Sequence, residues 1–248
     1  MDNGQIAKLL PKEVLNPKFW DQNKHLNSDV RQHLLEIALE FKKYLQLDQT
    51  NLTGKIFVVD VKFTGSLCNY NYSEYSDIDL HLDIDLSQLS EEEKPLAFEY
   101  LQARKALWNN EHEITIYNYD VEVYPEEHGQ PHFSTGVYSI TSDKWIIEPD
   151  KAIVEPDEKL IDKKVNGFLN ILKQLGKSEM KPSDMIKGIE ILQAKIKKMR
   201  QAGLESEGEY STENLVFKIL RRLGFLDSIA KLKQTILDKS ISLEKESQ

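Results

Sequence analysis

Two short stretches of this chain carry side chains that could do chemistry together: Gly65-Ser66 and, after a ten-residue spacer, Asp77-Ile78-Asp79. In an extended strand successive side chains alternate faces, so Asp77 and Asp79 share one face while Ile78 and Leu80 point into a core. Two carboxylates on one rigid face can share hard cations, and Mg²⁺ is commonly held by one or two carboxylates together with substrate phosphates. A glycine-serine turn feeding that strand would hold the phosphates. The pattern is that of a magnesium-dependent nucleotide site.

Phosphoryl transfer of the two-metal kind also needs a carboxylate near the attacking hydroxyl. Tyr119-Asp120-Val121-Glu122-Val123-Tyr124 offers Asp120 and Glu122, two residues apart on one strand face. Glu122 is the better candidate, because Val121 and Val123 place it in the middle of an apolar run. An antiparallel neighbour strand would bring it to the aspartate pair.

The elements that must position these groups are readable from periodicity. Ser28 is a plausible N-cap for a helix over 28–46, with Val30, Leu34, Ile37, Ala38, Phe41 and Leu45 at helical spacing. Lys55 to Phe63 is β-branched and aromatic, hence a strand ending in Thr64-Gly65-Ser66, and Asp77 to Asp85 alternates as a second. Asp83 and Asp85 read as solvated acids on that strand. Ser90 and Glu93 form a capping-box pattern opening a helix to about Trp108. Glu113 to Tyr124 reads as one long third strand halted at Pro125, with shorter β elements at 136–140 and 144–147. From about Glu158 the pattern turns helical: 161–175, 183–200 and 211–237, the first two ending near Gly176 and Gly203, with Glu205 to Glu209 as a loop. The predicted organisation is a catalytic domain with an N-terminal helix over 1–154 and a helical domain over 155–248, the boundary lying within Pro149 to Asp157.

The chain has 248 residues, 40% of them hydrophobic, enough for real cores. Its net charge of −9 is unevenly spread. Residues 1–158 hold 14 Lys and Arg against 29 Asp and Glu, while residues 159–235 hold 16 against 9. The acidic part carries the proposed metal site; the basic part either solvates amphipathic helices or meets phosphates. No run of 18 apolar residues occurs and the N-terminus lacks signal-peptide regions, so the expectation is a cytoplasmic protein without a membrane partner. One cysteine, Cys68, excludes an internal disulfide and is expected to be a small buried or half-buried residue. His112, His128 and His132 match no zinc spacing. P-loop, Rossmann and serine-hydrolase motifs are absent.

Phe63-Thr64-Gly65-Ser66-Leu67, Tyr75-Ser76-Asp77-Ile78-Asp79-Leu80 and Val121-Glu122-Val123-Tyr124-Pro125 together resemble the DNA polymerase β-like nucleotidyltransferase superfamily. The last segment is similar to the Val-Asp-Val-x-Pro of archaeal-type CCA-adding enzymes and of oligoadenylate- and cyclic-dinucleotide-synthase-like members. The resemblance covers residues 55–125. It implies an α+β palm, a mixed or antiparallel sheet flanked by helices, followed by a C-terminal helical domain. It further implies that Gly65 and Ser66 contact nucleotide phosphates, and that Asp77, Asp79 and Glu122 hold Mg²⁺ or Mn²⁺, with Glu122 nearest the acceptor hydroxyl. In such relatives a helical lysine and a serine opening the next helix also reach the triphosphate. Lys195 and Ser211 stand at comparable places, with Tyr210 for stacking, while a plain N-cap and a solvated lysine are the bland alternatives. Trp145 could line the site or pack at a sheet edge. Two departures stand out: Glu122 replaces the commoner Asp, and Leu67-Cys68-Asn69-Tyr70 lacks the basic residue many members have.

The expected activity is transfer of a nucleoside monophosphate from a nucleoside triphosphate, ATP foremost, to a hydroxyl acceptor, releasing pyrophosphate. The acceptor would be an RNA end, another nucleotide, a small molecule or a protein side chain. The alternative is a catalytically inactive nucleotide-binding or regulatory protein that keeps the fold.

Overall fold

The computed structural model describes residues 9–47, 54–131, 134–151, 155–175 and 180–243. They fall into two compact units. One lies within Pro11–Ile153; the other comprises the helices that follow Val154, together with Leu9, which is buried in their core. His132 and Gly176 lie outside the described residues.

The first unit is α+β. Helix α1 (Ser28–Leu45) precedes strand β1 (Phe57–Thr64), a single 3-10 turn at Ser66–Cys68, and β2 (Ile78–Asp85). Helix α2 (Glu93–Glu111), β3 (Thr115–Ile116), β4 (Tyr119–Glu127), β5 (Val137–Ser139) and β6 (Lys144–Ile147) follow. The six strands form one mixed sheet in the order β3-β4-β2-β1-β5-β6. β1 runs antiparallel to β2 and to β5, whereas β2 and β4 run parallel. Parallel neighbours need a long crossover, and α2 occupies it. Ile78, Leu80, Leu82 and Ile84 of β2 face a core shared with Val30, Leu34, Phe41 and Leu45 of α1 and Leu101 of α2. Each such aliphatic side chain contributes about 1.5–3 kcal/mol on burial. α2 opens with the capping box: Glu93 N–H donates to Ser90 Oγ (3.3 Å) and Ser90 N–H to Glu93 Oε2 (3.0 Å).

Several sequence expectations are corrected. The third strand is a hairpin, because Tyr117 and Asn118 adopt positive φ (53° and 65°) and turn the chain between β3 and β4. Pro125 does not end β4. Val123, two residues earlier, sends its N–H and C=O away from β2 to the Asn109 side chain of α2, so the N–H that Pro125 lacks would also have faced this edge, beyond β3's pairing at Tyr119 and Asp120. Cys68 is buried, its thiol donating to Phe63 O (3.1 Å). Trp145 stacks on Trp20 (4.5 Å between ring centroids) and donates from Nε1 to Lys24 O, which makes it sheet-edge packing.

The second unit contains α3 (Glu158–Leu175), α4 (Pro182–Glu207), α5 (Thr212–Arg222) and α6 (Phe225–Ile241). Ile161, Val165, Ile189, Leu192, Ile196, Val216, Ile219 and Ile229 form its core. α4 runs past Gly203, and 208–210 is a 3-10 turn, so the predicted loop over 205–209 is largely helical. Gly203 sits inside the helix because Ser211 and Glu213 press on it: a Cβ there would come within 2.6 Å of Ser211 Oγ. The predicted 211–237 helix is broken at Gly224, whose φ of +65° starts α6 in a new direction.

Among the described residues of this unit, Lys218 on α5 is the most perturbed amine. Burial lowers its pKa from 10.5 to about 8; Glu209 opposes that shift, while Arg200, Arg222 and Arg221 add to it. Between about pH 8 and 10.5 the unfolded chain holds a proton that the folded chain does not, so Lys218 makes stability rise with pH across that window. Lys218→Met is therefore expected to melt above the wild type below pH 8, with the gap closing as pH approaches 10.5. A gap that stays constant from pH 7 to 10.5 in paired thermal melts contradicts this.

Candidate metal centre

The site is built at one end of β2, where three strands meet. Thr64 of β1 pairs with Asp79, and Asp79 pairs on its other side with Glu122 of β4. The expected antiparallel partner for β2 is thus replaced by a parallel one, and the parallel register puts Glu122 directly beside Asp79. Asp77 lies one residue before β2, in the entering segment. One ligand oxygen from each of Asp77, Asp79 and Glu122 falls within 4.8 Å of the others, and all three residues are half-buried. Asp120, the other candidate acid, is exposed and pairs with Thr115. Three carboxylates this close repel one another unless a cation or protons intervene. This cluster could hold a metal ion.

Gly65 is required here for two independent reasons. Its φ of +80° and ψ of −164° lie in a region open essentially to glycine alone. A Cβ built on it would stand 1.8 Å from Asp79 Oδ2, so the backbone turn lies directly against the carboxylate. Ser66 follows as the first residue of the 3-10 turn, and its hydroxyl meets that of Ser76 at 2.7 Å, tying this turn to the segment that presents Asp77. Gly65→Ala is expected to destabilise the protein by about 1–3 kcal/mol and to displace Asp79. Thermal melts with and without Mn²⁺ check this: the variant should melt lower and show little response to the metal. A normal metal response would mean that Asp79 tolerates the intrusion.

Tyr124 completes the near surroundings. Its hydroxyl donates to Glu122 Oε2, its ring stacks on His81 (5.0 Å, 29°), and Lys105 Nζ sits 4.2 Å from its centroid. Burial raises the phenol far above its ordinary pKa, reinforced by the bond to Glu122 and the negative field of Asp79, Glu122 and Asp77. The phenol is consequently a fixed donor.

Further along the same sheet face lies a second polar cluster that the sequence reading missed. Asp83, expected to be solvated, is buried and pairs with Lys62 Nζ at 2.9 Å and His128 Nδ1 at 3.0 Å. Lys62 Nζ also lies 3.3 Å from Glu126 Oε1, whose Oε2 meets His81 Nδ1 at 2.7 Å. Asp83 Oδ1 is buried without a hydrogen-bond partner among the described residues. The signal was present: 79, 81 and 83 share a face by alternation, as do 122, 124 and 126, and Lys62 stands opposite His81 on β1. A buried lysine needs acids, and the sequence offers two.

Lys195 and Ser211 belong to the helical unit. Lys195 is exposed, with Nζ 6.0 Å above the Phe168 ring. Ser211 is buried and caps α5, its Oγ accepting from Asn214 N–H (3.3 Å). Tyr210 has its hydroxyl buried without a partner among the described residues. His112 rests on the Trp108 ring, 4.0 Å between centroids.

No protein-family model, curated protein or solved structure matches this chain. Among the described residues no helix is long and apolar enough to cross a membrane.

Proposed function

We propose that the sheet unit is a polymerase β-like nucleotidyltransferase palm, and that the protein transfers a nucleoside monophosphate from a nucleoside triphosphate, ATP foremost, to a hydroxyl acceptor. The observation that carries this reading is the convergence of Asp77, Asp79 and Glu122 at the end of β2, with the Gly65 turn against Asp79. The residues fit a hard divalent cation: all the donors are carboxylate oxygens, as Mg²⁺ and Mn²⁺ prefer. Asp77, Asp79 and Glu122 would hold it, and when bound it supplies charge neutralisation for the triphosphate and the developing pyrophosphate.

The chain's own groups do the rest. The Gly65 backbone, free of a side chain, lies directly against Asp79, so phosphates held at this turn would meet the cation held there, and the Ser66 hydroxyl offers a donor beside it. The acceptor oxygen forms a bond to the α-phosphorus as the bond to pyrophosphate breaks. Glu122 stands nearest the acceptor and helps activate its hydroxyl, whose proton passes to solvent as the oxygen attacks. An RNA end, a nucleotide, a small-molecule hydroxyl and a protein side-chain hydroxyl are acceptor classes this chemistry admits.

The test is transfer of label from α-labelled nucleoside triphosphates, supplied with Mg²⁺ or Mn²⁺ and with the protein's copurifying RNA and small molecules, and read by mass. Labelled product with release of pyrophosphate is expected. Nucleotide binding that ignores divalent metal, with no transfer to any acceptor, would overturn the proposal in favour of a non-catalytic nucleotide binder.

A further inference from the structure

The third acid is a glutamate, one methylene longer than the aspartates it joins. Glu122 and Asp79 are paired residues on adjacent parallel strands, which lie about 4.8 Å apart. At that spacing an aspartate would already face its partner, whereas a glutamate has an extra torsion and can carry its carboxylate past the cluster. In the structure it does not: a Glu122 oxygen remains within 4.8 Å of those of Asp77 and Asp79.

Tyr124 supplies the restraint. It follows Glu122 by two residues on the same face of β4, about 6.6 Å along the strand, a distance its long side chain spans. Its hydroxyl donates to Glu122 Oε2, while no hydrogen bond to Oε1 is seen among the described residues. Stacking of its ring on His81 and the Lys105 ammonium 4.2 Å from its centroid keep the phenol in place. The donor is thus anchored by β2, through His81, and by α2, through Lys105. A shorter aspartate at position 122 would fall short of this hydroxyl.

We propose that Tyr124 is a positioning residue for the metal centre: its phenol captures one oxygen of Glu122, takes up the added length, and leaves the other oxygen to the cation. The inference rests on the metal-site reading above and accounts for how the longer side chain of Glu122 is held at the cluster. Hydrogen-bonded partners of metal-ligating carboxylates typically account for 10–100-fold in metal affinity.

The experiment titrates Mn²⁺ alone into the full chain and follows free Mn²⁺ by electron paramagnetic resonance. It compares wild type, Tyr124→Phe, Glu122→Asp, the double variant Glu122→Asp/Tyr124→Phe, and Asp77→Asn/Asp79→Asn. Tyr124→Phe keeps the ring and its contacts, and thermal melts confirm that each variant is folded. Tyr124→Phe should weaken Mn²⁺ binding about tenfold when Glu122 is present and by less than twofold when it is introduced into the Glu122→Asp variant. Unchanged affinity in Tyr124→Phe, or an equal loss in both backgrounds, overturns the positioning role while leaving the metal site intact. If Mn²⁺ binding is indifferent to Asp77→Asn/Asp79→Asn, the metal-site reading itself fails and the role of Tyr124 falls with it.

Discussion

Asp77→Asn/Asp79→Asn is expected to remove metal-dependent nucleotidyl transfer, lowering the rate by about a thousandfold or more, since cation-mediated stabilisation of a transferring phosphoryl group is worth several kcal/mol. The variant should nonetheless fold. Both aspartates are half-buried at the edge of the cluster, and the core residues beneath them, Ile78 and Leu80, are untouched. Relief of repulsion from Glu122 should raise the metal-free melting temperature, by about 2–4 °C for each kcal/mol relieved. On adding metal the wild type should gain stability, since a ligand at one hundred times its Kd stabilises by about 2.7 kcal/mol, and the variant should gain nothing. A single set of melts with and without Mg²⁺ or Mn²⁺ therefore separates loss of the site from loss of the fold. Full transfer by this variant would exclude the aspartates from catalysis.

Lys62→Met is expected to produce a large loss of stability in the sheet unit. Lys62 is buried between Asp83 and Glu126, with side-chain exposures of 9%, 4% and 13%. Removing the ammonium leaves two buried acids with only the His128 and His81 imidazoles beside them. Breaking a buried pair from one side costs about 3–5 kcal/mol, which corresponds to a fall of about 10 °C in melting temperature. The partner substitution decides the cause. Asp83→Asn added to Lys62→Met should cost much less than it does alone, because it removes one of the stranded charges. If the two losses simply add, the coupling is absent and the effect is one of packing.

Much of the site was legible in the sequence because strand alternation is a strict rule. Once 77–85 reads as a strand, Asp77 and Asp79 share a face, and the apolar flanks of Glu122 single it out from Asp120. Gly65 was legible as a turn, but the approach of its backbone to Asp79 depends on the β1–β2 register, which no local pattern reports. The direction of β4 was misread for the same reason: whether the next strand runs parallel is decided by where α2 packs. Asp83 was misread because its partner, Lys62, is 21 residues away and lies on a strand where an isolated lysine looks solvent-facing. In the helical unit, periodicity located the helices but not their ends. Gly203 and Gly224 look alike in sequence, yet the first is buried against Ser211 within α4 and the second turns the chain between α5 and α6.

The parallel pairing of β2 with β4 also bears on when the centre comes into being during folding. Hairpin partners such as β1 and β2 can meet while the chain between them is still short, but Asp79 meets Glu122 only after 42 intervening residues, including all of α2, have been laid down. Contacts of that sequence separation form late and slowly. The two aspartates of a nascent chain thus wait for their third partner, and the complete carboxylate cluster arises at the same step that joins β4 to the sheet. Divalent affinity would then serve as a readout of completed topology, sensitive to a misplaced β4 even where the helical content is already native.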